Sequence, residues 1–191
     1  MKKLILQIAL IAISLVLAYL IYDGIQGPIK FKAELEHKKE VVVNRLKDIR
    51  EAQVAYRNVF GKYTSGFDTL IDFIENGQIP IIKLTADPND TTLTIMFLDT
   101  MGYASVRDSI FGKRENFNPK DLMYIPYSDG QKFEMSAGIT EKGGVSVNVV
   151  EVFAAHKYFL KGLDLKKNHI DPEDGLKFGS MTDPTTDGNW E

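Results

Sequence analysis

The chain contains no cysteine, one tryptophan and three histidines among its 191 residues. Without cysteine there is no disulfide framework, no thiol nucleophile and no thiolate-held zinc or iron–sulfur centre. His37, His156 and His169 stand alone, outside H-E-x-x-H or any other ligand spacing. The chain also lacks a G-x-S-x-G nucleophile elbow and a G-x-x-x-x-G-K-[ST] phosphate loop. Excess positive charge is missing too, since the formal net charge is −3. That balance argues against a nucleic-acid binder working through charge. These absences lead to the expectation of a non-enzymatic protein with no catalytic residues, no metal and no cofactor.

What is present is unevenly spread. Through Phe60 there are 10 basic and 6 acidic residues, and from Gly61 onward 13 basic and 20 acidic. After Met1-Lys2-Lys3 comes LILQIALIAISLVLAYLIY, 19 uncharged residues from Leu4 to Tyr22. At about 1.5 Å rise per residue, a helix of roughly 20 such residues crosses a hydrocarbon core. Lys2 and Lys3 favour a cytoplasmic N-terminus, with the rest of the chain on the far side, and Tyr19 and Tyr22 suit the outer interface. The competing reading is a cleavable signal peptide. Its one tolerable cleavage position, Val16-Leu17-Ala18, lies inside the apolar run, so a retained anchor is expected. Gln7, Ser14 and Ala18 fall at i, i+7 and i+11, a polar or small stripe suited to helix contact in lipid; scattered, tolerated residues on a solitary anchor are the alternative.

Past the span, Gly27-Pro28 is expected to interrupt or kink the helix. Ala33 to Phe60 then runs without Gly or Pro, and Val42, Leu46, Ile49, Gln53, Tyr56 and Phe60 are spaced 4, 3, 4, 3, 4. That is the seam of a packed helix, docking on the chain's own sheet or on a second copy. Gly61 ends it, and Ser65 with Asp68 reads as a capping pair before a short helix closed by Gly77.

The C-terminal half reads as β-containing. Ile79–Leu84 is a short strand or connector, Ala86–Thr92 a polar loop, and LTIMFLDTMGYASVRDSIFGK mostly helix and irregular structure. Asn118-Pro119 caps a turn. Leu122–Tyr127, a turn at Asp129-Gly130, the alternating run Phe133–Thr140, a Gly143-Gly144 turn and Val145–Phe153 together predict a three-stranded antiparallel meander. AHKYFLKGLD is a last strand or short helix, and residues 168–191 form a loop or tail. The acidic loops Asp87–Asp90 and Asp171–Gly175 lack calcium-loop alternation and read as Asp-Pro turns. Tyr158 and Phe159 read as core residues and Trp190 as an incidental terminal aromatic.

This layout resembles type IV pilins and type II secretion pseudopilins. The phrase from Ile49 to Leu70 is similar to their helix end and helix-to-sheet loop, through Ala52, Tyr56, Gly61 and Tyr63, and Gly27-Pro28 sits where their helix bends. The resemblance implies an α+β fold with a transmembrane helix and a long amphipathic helix packed on a small antiparallel sheet. The chain departs from those families in lacking a prepilin-peptidase site and an acidic residue in the span, where Gln7 is the nearest polar substitute. It therefore reads as an unprocessed, pilin-like subunit of a cell-envelope assembly in secretion or motility; an anchored binding or sensing module, for instance for glycans, is the alternative. The divisions expected are a cytoplasmic start at 1–3, a transmembrane helix at 4–25, a kink and amphipathic helix at 26–60, a periplasmic domain at 61–167 and a tail at 168–191. The location expected is the inner membrane, single-pass. The partners expected are lipid and other subunits, self-association included, and no nucleic acid; Gln7, Ser14, Ala18, Val42, Leu46, Ile49, Gln53 and Tyr56 are the candidate interaction residues.

Overall fold

The computed structural model describes residues 2–86 and 96–191. The fold is α+β, with one very long N-terminal helix and two small antiparallel sheets. Helix α1 spans Lys2–Phe60, 59 residues, or roughly 90 Å at the usual rise. Its N-terminal part is long and apolar enough to cross a membrane and is unburied against the rest of the chain. The break expected at Gly27-Pro28 does not occur, because α1 carries Pro28 inside it. A proline in a helix removes one hydrogen bond and crowds one carbonyl; these are local costs that long helical stretches on both sides outweigh.

Gly61 stops α1 with φ 72°, and its N–H donates to the Arg57 carbonyl at 2.7 Å. Helix α2, Phe67–Asn76, follows. Its N-cap is Gly66 with no side-chain cap bond, so the expected Ser65/Asp68 capping pair does not form. Thr64 takes over locally, as its Oγ1 accepts from the Gly66 N–H at 3.2 Å. Strands β1 (Gln78–Ala86) and β2 (Met96–Ser105) pair as an isolated antiparallel ribbon with an irregularity between Ile81 and Ile82. The described part of LTIMFLDTMGYASVRDSIFGK is therefore largely strand, which corrects the helical expectation. Its apolar run has no 3.6-residue period to sustain a helix, and β1 supplies a partner. The Asp87–Asp90 loop lies outside the described residues.

Ser105 caps α3 (Val106–Phe111), accepting from the Asp108 N–H. Asn118 caps a 3-10 helix over Pro119–Met123, as its side chain accepts from the Lys120 N–H. Leu122–Tyr127 is therefore not a strand; only Tyr124 bridges, to Lys132. The meander is instead β3 (Glu134–Lys142), β4 (Val145–Ala155) and β5 (Gly175–Ser180), in that spatial order. Its third strand comes from the region read as tail, after the one-turn helix α4 (His156–Phe159).

The core forms where α1 crosses this sheet and α2. Val42, Leu46, Ile49 and Ala52 meet Leu70, Ile74, Val150, Val152, Phe159 and Phe178 in one buried cluster. Tyr56 and Phe73 pack edge to face with centroids 5.2 Å apart. The tail is tied down: Gly179 donates to the Asp187 carbonyl, Asn189 donates to that of Lys177, and Trp190 packs on the core cluster. Trp190 is thus a packing residue, not an incidental terminal one.

Candidate interaction surfaces

The candidate interaction residues separate into two groups. Val42, Leu46, Ile49 and Gln53 are 0% exposed and Tyr56 is 9% exposed, all within the chain's own core. This seam is filled by the sheet and α2, so it offers nothing to a second copy. Periodicity marks a buried stripe without identifying what buries it. Gln53 is polar yet satisfied: its Nε2 donates to the Thr64 carbonyl at 2.7 Å and its Oε1 accepts from the Thr64 N–H at 3.1 Å. Gln7, Ser14 and Ala18 stay exposed on α1. The Ser14 hydroxyl donates to the Leu10 carbonyl at 2.7 Å, so it needs no partner hydroxyl.

Several polar side chains are engaged in structural contacts. Arg114 Nη1 lies 2.5 Å from Asp48 Oδ2, a hydrogen bond that raises the guanidinium pKa above its ordinary value. Asp48 is 8% exposed, with Arg114 reaching over it. Arg45 donates to the Asp121 carbonyl beside this pair. Among the described residues no cluster of three or more His, Cys, Asp or Glu could hold a metal ion. Asp171 and Asp174 accept from the Glu173 and Gly175 N–H groups, and Glu173 pairs with Lys157 at 2.6 Å, which makes this acidic loop a self-satisfied turn. His156 Nδ1 lies 3.0 Å from the Asp171 carbonyl, and His37 Nε2 lies 3.3 Å from the Tyr127 hydroxyl.

Among the described residues, the β1–β2 ribbon and a groove beside Trp190 are open to solvent. The β1–β2 ribbon carries Ile81, Ile82, Met101 and Tyr103 at 51–66% exposure. A two-stranded ribbon is marginal alone and leaves both outer edges unpaired. Ile81 and Ile82 fall in the segment expected to be a short strand or connector, whereas Met101 and Tyr103 fall in the segment expected to be helix and irregular structure; the β-branched and aromatic content around β2 is the signal that points to its strand. The second surface is a groove of about 500 Å³ lined by Glu36, Lys39, Glu40, Val43, Leu176, Asn189 and Trp190.

No family model, curated protein or solved structure matches the chain.

The ribbon exposes four large apolar side chains, each more than half open to solvent. The groove contributes one aromatic ring, whose Nε1 is buried without a hydrogen-bond partner among the described residues.

Proposed function

We propose that the protein is a single-pass inner-membrane subunit or scaffold of a cell-envelope assembly, with a cytoplasmic N-terminus and a periplasmic domain. Its role is positional, not catalytic, and its layout is that of an unprocessed pilin-like component of secretion or motility machinery. Leu4–Tyr22 anchors, the remainder of α1 sets the distance from the membrane, and the domain presents a partner surface. The observation that carries this reading is the β1–β2 ribbon, which leaves Ile81, Ile82, Met101 and Tyr103 in solvent. Exposed apolar groups clustered on one projecting element fit a protein interface better than a free surface.

A photo-crosslinking residue at Tyr103 in native membranes tests the reading. Adducts to other envelope subunits are expected, and recovery solely as an uncrosslinked monomer refutes it. Protease accessibility of the C-terminal domain in spheroplasts tests the orientation; complete protection there overturns it. The groove beside Trp190 favours a second reading, an anchored ligand-binding module. Thermal stabilisation and a change in Trp190 fluorescence in a soluble-glycan screen would establish that reading instead.

A further inference from the structure

Resting on the membrane reading of Leu4–Tyr22, we infer that the domain is seated directly on anionic phospholipid headgroups through a two-part basic neck. One part is Lys30 and Lys32 of α1, and the other is Lys166 and Lys167 of the loop between α4 and β5. The fold brings them together. Gly27, Pro28 and Phe31 of α1 share a concave surface with Asp164, Lys167 and Asn168, so the loop lies against the helix at Pro28.

Distance along the helix places this junction at the membrane surface. Leu4–Tyr22 spans nearly the thickness of a hydrocarbon core, and Pro28 follows Tyr22 by roughly 9 Å at about 1.5 Å per residue. The headgroup layer on each side is about 5–8 Å deep, so the loop meets its outer edge. No break in α1 separates the anchor from Lys30 and Lys32.

The loop has a built structure. Lys38 donates to the Lys161 carbonyl at 2.9 Å, and Lys161 pairs with Asp129 at 2.5 Å, joining the loop to α1 and to the turn at Asp129. The Asp164 carboxylate accepts from the Lys167 N–H at 3.0 Å, and its carbonyl accepts from the Asn168 side chain at 2.8 Å. The nearby acids Glu34 and Asp129 are committed to Lys38 and Lys161. Among the described residues Lys30, Lys32, Lys166 and Lys167 enter no ion pair, and all four are exposed. The sequence around these four lysines carries the acids Asp23, Glu36 and Asp164, so the neck stays net positive. Ammonium groups held within a Debye length of an anionic bilayer are attracted to its phosphates, and lysines carried on one rigid body seat it together. In an overall acidic domain, the neck is the part of the surface such a bilayer does not repel.

The experiment uses the full chain in phosphatidylcholine vesicles with and without phosphatidylglycerol. Amine-reactive labelling is followed residue by residue by mass spectrometry, with Lys113 and Lys120 as distal controls. Phosphatidylglycerol is expected to slow labelling of Lys166 and Lys167 by roughly threefold or more, with high salt reversing the effect and the controls unchanged. The exposed double variant Lys166→Gln/Lys167→Gln is expected to weaken the lipid-dependent protection of Lys30 and Lys32. Equal labelling rates of Lys166 and Lys167 in the two bilayers overturn the seating proposal while leaving the anchor intact. Release of the chain from both vesicles by alkaline carbonate overturns the anchor reading, and the proposal with it.

Discussion

Replacing Gln53 by leucine removes the donor and the acceptor that hold Thr64. Thr64 is 8% exposed, and Gln53 is the partner of both its N–H and its carbonyl. Each buried backbone group left without a partner costs about 1–3 kcal/mol. The leucine has similar volume and recovers part of this through its apolar burial, which leaves a net loss of about 2–4 kcal/mol. Urea unfolding of the full chain in mild detergent, read by Trp190 fluorescence and near-ultraviolet circular dichroism, measures the change. Hydrogen exchange at the Thr64 amide should accelerate with it. The variant Gln53→Glu sharpens the test. A protonated carboxyl can donate to the Thr64 carbonyl as the amide does, whereas a buried carboxylate cannot, and burial raises its folded-state pKa. Stability of this variant should therefore be near wild type at low pH and fall as pH rises through that raised value. A Gln53→Leu loss under about 0.5 kcal/mol, the range of ordinary surface changes, would refute the role assigned to this pair.

The sheet offers further tests. At Gly179, φ is +76° and an added Cβ would clash with the Val150 carbonyl oxygen, so Gly179→Ala should cost about 2 kcal/mol or more and separate β5 from β4. Gly27→Ala, with nothing within 4 Å, should instead stabilise α1 by roughly 0.5–1 kcal/mol, as helicity in detergent would report. Phe178 is fully buried between the sheet and α1, and Phe178→Ala should lower stability by about 3–5 kcal/mol in the same urea assay. Glu191 is hydrogen-bonded by Arg50 at 2.8 Å and by the Gly188 N–H, which hold its carboxyl below its ordinary pKa. A depressed folded value means this contribution is present above the usual glutamate range and is lost as pH falls through the depressed value. An acid-induced change in Trp190 fluorescence should accordingly shrink in Glu191→Gln.

Parts of the fold were legible because the residues had little choice. The spacing of Val42, Leu46, Ile49, Gln53 and Tyr56 could only be one buried helix face, and the alternation around Met135 and Ala137 could only be a strand with one covered side. Asn118-Pro119 foretold its cap for the same local reason. The failures occur where long-range partners decide. The segment Gly175–Ser180 is short and follows a run rich in turn-forming residues, and it becomes a strand because β4 offers it a free edge. Leu122–Tyr127 has strand-like composition, but Pro119 starts a 3-10 turn and Tyr127 adopts φ 63°, which ends extended pairing there. The exposed ribbon was hidden for a related reason: no local period announces that two strands will pair with both outer edges free. Self-burial of the α1 seam was equally invisible, since a seam has the same sequence whether it docks on its own sheet or on another copy.

Because one unbroken helix serves both as apolar segment and as core element, the domain's compass bearing is counted in residues. Each residue added between Tyr22 and Lys38 would turn the domain by about 100° and lift it by about 1.5 Å relative to the apolar segment. A one-residue insertion would therefore swing the β1–β2 ribbon to a different side of the axis. Seven residues, close to two whole turns, would nearly restore its heading at a height greater by roughly 10 Å. The length of this neck thus works as an angular setting as well as a spacer, and a partner bound to the ribbon would sense the two separately.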